Sequence, residues 1–118
     1  MRLEIDNRYI SLNEIVNATQ VDLLEDVNFE KQFSLGHTFL MNEIKQGKPI
    51  YGVTTGYGAS GKNYLTYEQS AILQQNLYRF HGCGVGEPLN HEIARYMVII
   101  RLISLSKGRS GISYALLQ

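Results

Sequence analysis

The stretch Tyr51-Gly52-Val53-Thr54-Thr55-Gly56-Tyr57-Gly58 decides how this chain is read. A tyrosine ends a short apolar run, and a glycine-rich loop follows at once. Glycine lets backbone bend and approach other groups closely. The arrangement can therefore hold a phenol at the mouth of a site while its loop stays free to move. Ile50 to Thr54 is rich in β-branched and aromatic residues, which predicts a strand. Thr55 to Leu65 reads as a loop around Gly56, Gly58 and Gly61.

Working outward, Thr66-Tyr67-Glu68-Gln69 has the spacing of a capping box and opens a helix ending near Phe80. Gly82 to Pro88 is a loop. Asn90 then caps a long helix to about Lys107, with Gly108 at its end. Ile93, Ala94, Met97 to Ile100, Leu102, Ile103 and Leu105 surround most of that helix, so it is expected to be buried on nearly all sides within a larger helical assembly or a subunit interface, and poorly buried in this chain alone unless it self-associates. Upstream, Phe29, Phe33, His37, Leu40, Met41 and Ile44 fall at helical spacing. They predict an amphipathic helix from about Phe29 to Gln46, stopped by Gly47 and Pro49. Leu3 and Ile5 alternate with charged residues as in a short strand, and Val21 to Leu24 suggests another. Ser11-Leu12-Asn13-Glu14 is a further capping box, for a short helix to about Ala18. The fold class expected is α+β, mostly helical, with a few short strands and one long buried helix. Ser113 opens a final helical turn that stops at Gln118. One turn scarcely offsets helix nucleation, so the chain is expected to be cut at its C-terminal end.

Bulk properties exclude several classes. The 118 residues carry 11 basic and 11 acidic side chains, so no charge footprint for nucleic acid or an anionic membrane is present. The apolar run Met97-Val98-Ile99-Ile100 is far too short to span a bilayer. A single cysteine, Cys83, excludes an intrachain disulfide framework and points to a reducing, cytoplasmic setting.

Individual motifs have modest readings beside their sharper ones. Gly56-Tyr57-Gly58-Ala59-Ser60-Gly61 spells a dinucleotide-site pattern, but the next helix opens five residues past its third glycine, where a Rossmann helix would start within the motif. Tyr51 is the candidate base; a lone tyrosine more often packs and makes one hydrogen bond. His81 precedes three glycines in five residues and can hydrogen-bond a ligand. It can also sit at a helix C-terminus and offset the dipole there. Cys83 between two glycines is expected to be a small buried residue rather than a nucleophile. His37, His81 and His91 are too scattered for a metal site.

Two runs taken together carry more. The first, Tyr51 to Gly58, resembles the Tyr-Gly-x-Asn/Thr-Thr-Gly-Phe/Tyr-Gly string of the aromatic amino-acid ammonia-lyase and aminomutase family. The second resembles that family's Asn-Leu-x-x-Ser-His-x-x-Gly-x-Gly-x-Pro-Leu string. It stands here as Asn76-Leu77, Phe80-His81, Gly84, Gly86, Pro88 and Leu89. A third match runs from Arg101 through Leu105 and Gly108 to Ser110-Gly111. The three matches fall in order at family-like spacing, whereas residues 1–48 match only in their pattern of elements.

The resemblance implies a single N-terminal lyase-like domain over residues 1–118. Within it, 48–65 form the tyrosine loop region and 90–108 a long core helix in a homotetrameric assembly. It implies that Tyr51 removes the β-proton of an aromatic amino acid, histidine or tyrosine, and that ammonia leaves to give an α,β-unsaturated acid. Aminomutases add the ammonia back at the β-carbon. It further implies that His81, with Gly58 and Gly82, binds the substrate, His81 reading its side chain. The family's electrophile is a 4-methylideneimidazole-5-one group, built from an internal Ala-Ser-Gly beyond the Ser110-Gly111 match; no metal is implied. Ala59-Ser60-Gly61 lies in the tyrosine loop and is followed by Lys62-Asn63 instead of the family's Asp-Leu, so it reads as a coincidence. Phe80 stands where the family has serine, and Gly82 and Cys83 where it has small residues after the histidine. The chain by itself is then expected to be inactive. The alternative is a stand-alone module that binds an aromatic amino acid, or docks on a catalytic chain, without turnover.

Overall fold

The computed structural model describes every residue, Met1–Gln118. The chain separates into two compact units, Met1–Phe39 with Pro88–Gln118, and Leu40–Glu87.

In the first unit, β1 (Arg2–Ile5) and β2 (Gln20–Leu23) pair in parallel, with Leu3 opposite Val21 and Ile5 opposite Leu23. Parallel neighbours need a crossover, which is supplied by α1 (Leu12–Asn17). The expected capping box opens α1, with Glu14 accepting from the Ser11 N–H at 2.9 Å. The alternation in β1 turns Leu3 and Ile5 inward, where both are fully buried with Ile10, Ile15, Ala18 and Ile99. A second cluster gathers Phe29, Phe33 and Leu117, with Phe29 and Phe33 meeting edge to face at 5.2 Å. Such pairs add to the gain from burial alone.

Helix α2 (Val27–Lys45) begins two residues before its apolar periodicity does. The reason is Asp26, whose carboxylate accepts the N–H groups of Asn28 and Phe29 at 2.8 and 3.0 Å. Gly47, at φ +71°, lies just beyond the helix end. Helix α4 (His91–Ser106) follows its cap Asn90 as expected, and α5 (Tyr114–Leu117) is one turn whose Ser113 makes no side-chain cap bond. Gly108 follows α4 at φ +66°, and a Cβ there would lie 2.7 Å from the Gln32 side chain. Gln32 uses that closeness to donate to the Lys107 carbonyl at 2.9 Å.

The expected long helix forms, and, as expected of this chain alone, only one stripe of it is buried. Ile99 is 4% exposed, whereas Met97, Val98 and Ile100 are between 50% and 68% exposed. A helix apolar on most sides needs neighbours on most sides, and one small unit covers only one. No helix is long and apolar enough to cross a membrane.

In the second unit, α3 (Tyr67–Phe80) opens with the Thr66–Gln69 capping box. The strand expected over Ile50–Thr54 does not form; the segment is a run of turns. The Ile50 N–H donates to the Thr54 hydroxyl at 2.8 Å, and that hydroxyl donates to the Lys48 carbonyl at 2.8 Å. Threonine side chains thus satisfy backbone groups that a ladder would otherwise take. β-propensity needs a strand to pair with, and only an isolated bridge, Thr55 to Tyr64, is available. The expected loop Thr55 to Leu65 contains a 3-10 helix over Gly58–Lys62.

Candidate functional site

The second unit holds all four residues expected at the site. Tyr51 lies in the turn segment and is 68% exposed. Its hydroxyl oxygen accepts the Gly58 N–H at 3.0 Å. Gly58 has φ +54°, a left-handed conformation that costs a residue with a Cβ. Gly61 also packs on the Tyr51 ring, since a Cβ there would stand 3.0 Å from it. An N–H donor suits this oxygen whether or not the oxygen carries its own hydrogen. The contact therefore leaves the hydroxyl proton free to be exchanged with a ligand.

His81 is the C-cap of α3, and its backbone N–H donates to the Leu77 carbonyl at 3.1 Å. Its ring Nδ1 lies 3.0 Å from the same carbonyl. A carbonyl only accepts, so Nδ1 carries the hydrogen. The neutral ring then presents Nε2 as an acceptor. The modest and the sharper readings of His81 thus use different nitrogens: Nδ1 satisfies the helix end, and Nε2 is left for a partner. Phe80 lies against the imidazole, with ring centroids 5.0 Å apart and planes tilted by 42°.

A cavity of about 520 Å³ brings the tyrosine loop and the end of α3 together. Gly56, Tyr57 and Ser60 line it from the loop, and Leu73, Leu77, Phe80 and His81 from the helix. His81 is therefore in the cavity wall, while Tyr51, Gly58 and Gly82 are outside it. Gly58 is tied to the site through the Tyr51 hydroxyl. Gly82 meets no atom within 4 Å of an added Cβ, so nothing in this chain demands glycine there.

Cys83 corrects an expectation. It is exposed, not buried, and its thiol donates to the Phe80 carbonyl at 3.2 Å. The Gly82–Pro88 segment has no second layer of structure over it, so a small side chain finds nothing to be buried under. His37 takes a separate role in the first unit, with Nδ1 2.9 Å from the Gly111 carbonyl.

Two residues join the site unforeseen. The Tyr57 hydroxyl donates to Gln74 Oε1 at 3.0 Å, and Gln74 Nε2 donates to the Gly52 carbonyl at 3.0 Å. The signal for Tyr57 was its place inside the glycine loop. Gln74 had none, being one polar residue on an exposed helix face.

The Ala59-Ser60-Gly61 triad does not fit the family's electrophile. It is wound into the 3-10 helix, where Ser60 donates its N–H to the Tyr57 carbonyl at 3.0 Å and accepts from Asn63 at 2.9 Å. A Cβ on Gly56 would lie 2.6 Å from the Ser60 carbonyl oxygen, so the turn is packed against backbone. Cyclisation would have to break both bonds and displace that packing.

A family model described as aromatic amino acid lyase matches residues 10–118. Histidine ammonia-lyase of Staphylococcus saprophyticus is 34% identical over 127 residues, covering 100% of this chain and 24% of that protein. Histidine ammonia-lyase 1 of Fusobacterium nucleatum is 30% identical over 113 residues, covering 94% of this chain and 22% of that protein. Tyrosine aminomutase from Streptomyces globisporus superposes with a TM-score of 0.84 at 29% identity, over 99% of this chain and 23% of the other. Ergothionase from Treponema denticola gives a TM-score of 0.83 at 25% identity, over 99% and 24%. The chain thus spans 22–24% of the length of these relatives. The match begins ahead of the three motifs and runs through all of them, so it does not rest on the tyrosine loop alone: the chain belongs to the aromatic amino acid lyase family.

Proposed function

We propose that this chain is the N-terminal part of an ammonia-lyase that eliminates ammonia from histidine or tyrosine to give an α,β-unsaturated acid. In this reading Tyr51 takes the β-proton and His81 receives the substrate side chain, with Gly58 and Gly82 at the substrate. The observation that carries it is the Tyr51 hydroxyl held on the Gly58 N–H within the glycine loop. A base works only if it lies within hydrogen-bond reach of the proton it takes, and Tyr51 must do so as phenolate. An N–H donor on the Tyr51 oxygen supports this role because it suits the phenolate, the form that accepts the proton. The relatives named as histidine ammonia-lyases and tyrosine aminomutase support the choice of substrate class.

His81 Nε2 suits a substrate side chain that brings a hydrogen, either an imidazole N–H or a phenol O–H. A phenyl ring would leave that nitrogen unpaired, which is the stronger basis for rejection. The 4-methylideneimidazole-5-one electrophile, which activates the amino group for departure, belongs in this reading to a segment other than Ala59-Ser60-Gly61. The chain by itself is then inactive.

The full protein is a cytoplasmic homotetramer in this reading. The exposed apolar face of α4, with Met97, Val98 and Ile100, supports association. A monomer at every concentration in sedimentation would count against self-association of this chain. The decisive experiment is Tyr51→Phe in a full-length protein carrying this segment, assayed for urocanate from L-histidine and coumarate from L-tyrosine. Loss of turnover with retained substrate binding is expected. Turnover at the parent rate would overturn the assignment of the base. Product formation by the pure 118-residue chain would overturn its inactivity.

A further inference from the structure

We propose that Gln74 is a positioning residue for the tyrosine loop, its side-chain amide clamping the loop at two points so that the Tyr51 hydroxyl stays on the Gly58 N–H. The inference rests on the reading of Tyr51 as the base.

The two ends of the clamp grip the neighbours of the two groups that matter. Gln74 Nε2 donates to the carbonyl of Gly52, which directly follows Tyr51, at 3.0 Å. Gln74 Oε1 accepts from the hydroxyl of Tyr57, which directly precedes Gly58, at 3.0 Å. Tyr51 and Gly58 are thus each one peptide away from an anchored residue. The orientation of the amide is fixed by chemistry, because turning it over would set Oε1 against the Gly52 carbonyl oxygen. Gly52 also carries the ring at the other end of the clamp. It has φ +71°, and a Cβ there would lie 3.0 Å from the Tyr57 ring. Backbone, phenol and amide therefore close a loop around the Tyr51–Gly58 contact. Its outer anchor is α3, a 14-residue helix that opens with a complete capping box. Backbone bonds from Gly56 to Asn63 and from Leu65 to Thr54 already close the base of the loop, and the Gln74 amide adds a restraint from a neighbouring helix at Gly52 and Tyr57.

The clamp is tested by amide hydrogen exchange of the 118-residue chain, read at Gly58 and, as controls on α3, at Ser70 and His81. Gln74→Leu removes both ends, and Tyr57→Phe removes the hydroxyl end alone. Gly58 exchange is expected to rise about tenfold in Gln74→Leu, the scale of one or two neutral hydrogen bonds lost, and by less in Tyr57→Phe. Ser70 and His81 are expected to keep their parent rates. Unchanged Gly58 exchange in Gln74→Leu would overturn the clamp. An equal rise at Ser70 would show loss of the helix itself; Tyr57→Phe then decides, and unchanged Gly58 exchange in that variant overturns the proposal. The readout needs no turnover, so a failed clamp and a failed assignment of Tyr51 are separate results.

Discussion

The hydroxyl oxygen of Tyr51 and the backbone nitrogen of Gly58, seven positions apart in the chain, are 3.0 Å apart and joined by the N–H that Gly58 donates. The bond needs Gly58 in the left-handed region, where a Cβ is resisted. Gly58→Ala is therefore expected to cost about 1 kcal/mol of local stability and to weaken the contact. Nuclear magnetic resonance of the Tyr51 ring should show faster averaging in the variant. A ring signal unchanged from the parent would count against the contact as the loop's latch.

The His81 ring has its hydrogen on Nδ1, because the Leu77 carbonyl 3.0 Å away can only accept. Nitrogen-15 spectra of the neutral ring should therefore show a protonated Nδ1 and a bare Nε2. In a full-length protein, His81→Leu should lower kcat/KM for histidine or tyrosine on the order of a hundredfold while sparing a phenyl substrate. An equal loss for all substrates would mean that His81 is not the reader.

Gly108 is held to glycine twice, by its φ of +66° and by Gln32, which would stand 2.7 Å from an added Cβ. Gly108→Ala is expected to destabilise the chain by about 1–3 kcal/mol, combining backbone strain with overpacking. Urea unfolding measures it. Gln32→Ala in the same background should recover part of the loss, because it removes the clash but not the strain.

Glu14 contributes a pH dependence, beside Asp22 and Glu68, whose carboxyls are also held below their usual values. The Ser11 backbone N–H chiefly, then the Ser11 hydroxyl and the Arg8 guanidinium, hold its carboxyl down from 4.5 to about 2. A folded value below the unfolded one means that the charged form is favoured by folding. Its contribution is complete above about pH 4.5 and is lost as pH falls towards 2. Thermal unfolding between those limits should show a decline in stability that is shallower in Glu14→Gln. Identical slopes would show that the Ser11–Glu14 box does not persist in solution.

Much of the local structure was legible because it is set by neighbours in sequence. Ser11 with Glu14, Thr66 with Gln69, and Asn90 before α4 each satisfy backbone groups within three residues. A cap can therefore be read from spacing alone. The Ile50–Thr54 segment shows where that reading stops. Its residue types favour a strand, but a strand exists only with a partner, and Thr54 offered the backbone a closer one. Cys83 is a second case, since burial depends on what lies above a residue and not on what flanks it.

The sequence by itself determined helices α1, α3 and α4 with their caps, the two short strands as separate elements, and the three motifs that mark the family. These depend on side chains and backbone within a few residues of each other. Only the tertiary structure decided which nitrogen of His81 is free, that the Tyr51 phenol rests on Gly58, and that Gln74 from a separate helix ties down Gly52 and Tyr57. Such bonds join groups whose meeting depends on how helix and loop pack. Hydrogen bonding falls off over a few tenths of an ångström, so residue spacing along the chain carries no record of them.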